Sequence, residues 1–130
     1  MSYKLERLED YPAMVTTFNA DFDASTELES VITEMRRRIS VEETPIYIIM
    51  DMSAYDISLN DLFVGTGIGM RTRDGDNREA SVKNTLKTII VTEQKVLQAS
   101  IKGFERFGFG KNLEVATTLE AALQIIRDVA

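Results

Sequence analysis

Asp51, Ser53, Asp56 and Ser58 are the side chains of this sequence best placed to do chemistry. They follow directly on the apolar run Pro45-Ile46-Tyr47-Ile48-Ile49-Met50. Ser58, with Asp61 three residues on, is an acidic variant of the capping box that opens a helix. A serine at a strand's carboxyl end or a helix N-terminus meets free backbone N–H groups and the positive end of the helix dipole, which favours a phosphate or another anion. Crossover folds place ligands at that same edge of the sheet. Modification of a hydroxyl, anion binding or contact with a partner are therefore the chemistries on offer. For Ser58 the simpler reading is capping of its own helix. Asp51, Asp56 and Asp61 also offer oxygen ligands suited to magnesium, and Asp74, Asp76 and Glu79 suit calcium. The second set lacks the Asp-x-Asp-x-Asp-Gly spacing of an EF-hand loop. Both sets are read as turn formers and helix caps.

Two further segments invite a ligand. Glycines in Gly65-Thr66-Gly67-Ile68-Gly69 would let backbone amides approach a phosphate. The dinucleotide fingerprint, however, follows a strand and puts its third glycine three residues after the second. Here the gap is two and a predicted helix precedes, so the segment reads as a frayed helix end or a close packing contact. Phe104, Phe107 and Phe109 alternate with Gly103, Gly108 and Gly110. They are read as core, and as a subunit contact or pocket wall where exposed.

Chemistry is narrowed further by what the chain lacks. Its 130 residues hold no cysteine and no histidine. Disulfides, thiolate nucleophiles and cysteine zinc sites are thereby removed, as are the commonest general base and the Ser–His–Asp triad. The length suits one domain, and 44% hydrophobic residues are ample for a core. A net charge of −6 argues against nucleic acid, which needs clustered Lys and Arg. The basic cluster Arg36, Arg37 and Arg38 falls near the end of a predicted helix, where cations complement the dipole. The first residues are too charged for a signal peptide, and no apolar run approaches the length of a membrane span. A cytoplasmic location is expected by default.

The elements that must position these residues follow from periodicity. Residues 3–8 alternate as a half-buried strand does, Pro12 marks a turn, and the β-rich stretch 13–19 completes an antiparallel hairpin. Leu28, Ile32, Met35 and Ile39 recur at spacings of four, three and four. They form one helical stripe, widened by Val31 and capped by Asp23 or Ser25. The run 45–50 fits a strand covered on both faces. A short helix from Ser58 then uses Leu59, Leu62 and Phe63, and a polar excursion fills 71–87. Thr88-Ile89-Ile90-Val91-Thr92 is a second buried strand, and Val96, Leu97, Ile101 and Phe104 stripe a further helix. A strand over 113–117 follows. A helix opened by Thr117 and Glu120 closes the chain, with Leu119, Ala122, Leu123 and Ile126 on one face. The fold class expected is α/β: one domain, an opening β-hairpin, then alternating β/α units, with a mixed, mostly parallel five-stranded sheet and about four helices.

This order of elements, over nearly the whole chain, resembles the STAS superfamily, the SpoIIAA-like fold of the anti-sigma-factor antagonists. The likeness rests on the hairpin and first helix, on Ile46-Tyr47-Ile48-Ile49-Met50-Asp51-Met52-Ser53, and on the helix opened by Ser58. Ile89-Ile90-Val91-Thr92 and Leu113-Glu114-Val115 with its helix complete it. A strand running into Asp51-Met52-Ser53 is similar to the family's strand into an Asp/Asn-apolar-Ser turn. The antagonists carry a phosphorylatable Ser or Thr in a short Asp-Ser-Ser/Thr-Gly segment at the next helix. Here that stretch reads Tyr55-Asp56-Ile57-Ser58-Leu59-Asn60-Asp61-Leu62, with no Ser-Gly pair after an aspartate, so the phosphorylation switch is not expected to carry over. The closer likeness is to the divergent STAS-like proteins of bacteria.

The resemblance, with the missing histidine and cysteine, leads to a non-enzymatic domain without a cofactor that regulates by binding a protein partner or itself. Asp51, Ser53, Asp56 and Ser58 would form its contact loop. The alternative is a carrier or sensor of a small apolar or anionic ligand, held between the Ser58 helix, the glycine segment and the Phe104 helix. An enzyme working through carboxylates and Tyr or Lys alone ranks third.

Overall fold

A computed structural model describes residues 2–56, 83–95 and 113–129. Within them lie strands β1 (Tyr3–Arg7), β2 (Ala13–Phe18), β3 (Ile46–Asp51), β4 (Thr85–Val91) and β5 (Leu113–Ala116). Helix α1 (Ala24–Ser40) joins β2 to β3, and helix α2 (Leu119–Val129) follows β5. The five strands form one sheet in the order β1-β2-β3-β4-β5. The hairpin β1–β2 is antiparallel and every other pairing is parallel, as the element order requires. The expected helices from Ser58 and through Phe104 lie outside the described residues. So do the 65–69 glycine segment, Phe107, Phe109, and the acidic positions Asp61, Asp74, Asp76 and Glu79.

The strand period of two divides the core between the faces. Ile46, Ile48, Met50 and Ile90 pack beneath the α1 stripe of Leu28, Val31, Ile32, Met35 and Ile39. Tyr47, Ile49, Ile89 and Val91 pack with Ala122 and Ile126 of α2 on the other face. The central run is thus apolar at every position because both its faces are covered. Each such fully buried side chain contributes roughly 1.5–3 kcal/mol.

The start of β4 and the cap of α2 differ from the sequence reading, and the cap of α1 is settled between its two candidates. β4 begins at Thr85 rather than Thr88, so the polar excursion ends at Asn84. Ile46 pairs with Thr85, and Lys87 meets Glu114 of β5 at 2.8 Å, so these polar residues are satisfied inside the sheet. The cap of α2 is Thr118, not Thr117: its Oγ1 accepts from the Ala121 N–H at 3.0 Å, while Glu120 turns to Arg127. The cap of α1 is Asp23, which accepts from the Ser25 N–H at 3.1 Å.

Arg37 and Arg38 lie in the last turn of α1, as the dipole favours. Both also reach Glu34, Arg38 at 3.0 Å and Arg37 at 3.6 Å. No helix among the described residues is long and apolar enough to cross a membrane.

Candidate functional site

β3 delivers Asp51 to the carboxyl edge of the sheet, and loop 51–56 turns there. One oxygen of Asp51 accepts from the Ser53 N–H at 3.1 Å and from the Ser53 hydroxyl at 2.6 Å. Such an aspartate turn offers the backbone a local partner where the ladder stops. The Met52 N–H still donates to the Val91 carbonyl at 2.9 Å, and the Tyr55 N–H donates back to the Met52 carbonyl at 3.2 Å.

Tyr55 then plunges inward. Its ring is buried and stands edge-on to Phe22, with centroids 5.3 Å apart. Phe22 in turn meets Phe18 at 4.8 Å and Tyr3 at 6.1 Å, again edge to face. Edge-to-face pairs add roughly 0.5–1.5 kcal/mol each beyond their buried area. From the other side Gln94 Nε2 donates to the Tyr55 carbonyl at 2.6 Å. The loop backbone is therefore fixed at Met52 and at Tyr55. Between and beyond those anchors Ser53, Ala54 and Asp56 are exposed.

Of the four residues singled out in the sequence, Asp51 and Ser53 are brought into contact. Asp56 stands apart on the solvent side, and Ser58 lies outside the described residues. The Ser53 hydroxyl spends its proton on Asp51 and retains its lone pairs for an incoming donor. Among the described residues no three carboxylates converge in a way that would hold a metal ion. The described strands run in sequential order without a reversal, so they open no crevice of the kind that doubly wound sheets use for ligands.

The N-terminus of α1 sits at this same edge and is already occupied by the chain's own acids. Ser25 donates to Asp23, through its hydroxyl at 2.6 Å, and these bonds hold the Asp23 carboxyl below its usual range. Glu27 accepts from the Asp23 N–H at 2.9 Å, and its other oxygen accepts from the Ser2 hydroxyl. Carboxylates here complement the dipole and repel a further anion.

Sequence reasoning missed Tyr55, Thr92 and Gln94. The available signals were a lone aromatic inside a polar turn and a Thr-x-Gln at the end of an apolar strand. Neither says which carbonyl an amide side chain will find 39 positions away.

The sequence matches no protein-family model, and no curated protein resembles it significantly. Solved structures do resemble it. One is an uncharacterized protein of the DUF3478 family with a SpoIIAA-like fold from Shewanella loihica PV-4. It is 15% identical, with a TM-score of 0.59 over 95% of this chain and 91% of that one. Another is an anti-sigma factor antagonist from Mycobacterium paratuberculosis, 15% identical, with a TM-score of 0.54 over 97% of this chain and 93% of that one. The fold is accordingly SpoIIAA-like.

Proposed function

We propose that the chain is a non-enzymatic, cytoplasmic regulatory domain that binds a protein partner through the carboxyl edge of its sheet. Loop 51–56 is the contact, with Ser53, Ala54 and Asp56 facing the partner and Asp51 holding Ser53. One observation carries this reading: the loop's backbone is anchored at both ends while its polar side chains stay exposed. A preformed loop loses little freedom on binding, which is how a small polar surface reaches useful affinity. The likeness to an anti-sigma factor antagonist, a protein whose name gives it a protein target, agrees with this reading. So does a sequence without histidine or cysteine.

Native mass spectrometry of gently purified protein, repeated after denaturation, tests it. The expected spectrum shows the chain without a small-molecule adduct, together with protein-sized complexes that vanish on unfolding. A small-molecule mass excess that disappears on unfolding, with no protein complex, would contradict it and favour a ligand carrier.

A further inference from the structure

We propose that Gln94 is the positioning residue that sets the pose of loop 51–56 and ties it to the ends of β4 and β5. A chain of three hydrogen bonds reaches the loop from β5. The Ala116 carbonyl accepts from the Thr92 N–H at 2.9 Å. Thr92 is fully buried, and its Oγ1 accepts from the Gln94 N–H at 3.0 Å. Gln94 Nε2 then donates to the Tyr55 carbonyl at 2.6 Å. Because Thr92 stations the backbone of Gln94, the amide reaches its target from a fixed base rather than as a free surface side chain.

The Tyr55 ring alone does not fix the loop. An aromatic ring held edge-on by Phe22 leaves its own peptide free to rotate about the Cα, and the direction of that peptide decides where Asp56 points. Gln94 holds the peptide. Met52, bonded to Val91, holds the opposite end, so both supports of the loop come from β4 and the residues that follow it. Movement at the end of β4 is thereby transmitted to the surface that carries Ser53, Ala54 and Asp56. The tether stands by itself; only its regulatory meaning rests on the proposed function.

The test is backbone relaxation by NMR on the full chain, comparing the natural protein with Gln94→Met and Gln94→Ala. Methionine keeps the length of the side chain and removes the donor. Order parameters of residues 53–56 near 0.85 in the natural protein should fall below about 0.6 in both variants, while those of β2 and β3 stay rigid. Retention of order in the loop of Gln94→Met would overturn the proposal, because packing and not the donated bond would then hold it. A parallel loss of order in β2 and β3 would overturn it as well, since the residue would then support the fold at large. Neither readout needs a partner, so failure here leaves the partner-binding proposal intact, and the reverse holds too.

Discussion

At the amino end of the parallel strands Asn84 Nδ2 donates to the carbonyls of Ile39 and Glu42, both at 3.0 Å. At the carboxyl end Gln94 Nε2 donates to the carbonyl of Tyr55 at 2.6 Å. Both are half-buried amides that cross about forty positions of sequence to reach a backbone oxygen. Their targets differ. Asn84 ties the Ile39 carbonyl in the last turn of α1, which also accepts from the Glu42 N–H, to the Glu42 carbonyl just beyond the helix, and its own backbone carbonyl accepts from the Ile46 N–H at the start of β3. Arg7 closes the same end by donating to the carbonyls of Leu8 and Tyr11 at 2.7 and 2.8 Å, with Glu42 at 3.3 Å. Side chains there are spent on the chain's own backbone. At the carboxyl end the Gln94 amide helps to steady a loop whose exposed side chains are left for something else. The same chemical group thus serves integrity at one end and presentation at the other.

Substitutions at the two ends should separate these roles, beginning with the largest effect. Phe22, buried at the centre of the aromatic cluster, holds Tyr55 from below. Phe22→Ala should cost about 3–5 kcal/mol in denaturant unfolding, through lost burial and a cavity the sheet cannot close. A loss below about 1 kcal/mol would show that the aromatic cluster does not hold the carboxyl end. Asn84→Ala should cost about 1–3 kcal/mol, because it removes two part-buried hydrogen bonds, to the Ile39 and Glu42 carbonyls, worth roughly 0.5–1.5 kcal/mol each. Hydrogen exchange should place the loosening in the last turn of α1 and the start of β3. Loosening in loop 51–56 instead would break the distinction between the ends. Gln94→Met should have the smallest effect on unfolding, on the order of 1 kcal/mol for one bond, with its signature confined to the order of the loop.

Much of this fold was legible in the sequence, and the reason is periodicity. The stripe Leu28, Ile32, Met35 and Ile39 is buried as a stripe, and the run at 46–50 lies between two covered faces. Where the sequence misled, a polar residue was satisfied by a distant partner. Thr85 and Lys87 read as loop because nothing nearby reveals Ile46 of β3 beside the first or Glu114 of β5 beside the second. Thr117 and Thr118 offer the same hydroxyl, and only the backbone decides which one caps α2. The candidate site followed the same rule. Asp51 and Ser53 are two positions apart in sequence and meet by a local turn, so their pairing could be anticipated. Tyr55 and Gln94 meet only because β3 and β4 are neighbours, and no local pattern encodes that.

The central claim is that the carboxyl end, and not the amino end, faces a partner. Photo-cross-linking tests it most directly, with a photoreactive residue at Ala54 in loop 51–56 or at Asp10 in the β1–β2 turn, both exposed. A discrete protein adduct from position 54, absent from position 10 and abolished by Asp56→Arg on the same chain, is the predicted result. Adducts from position 10 alone, or the same adducts from both ends, would contradict it.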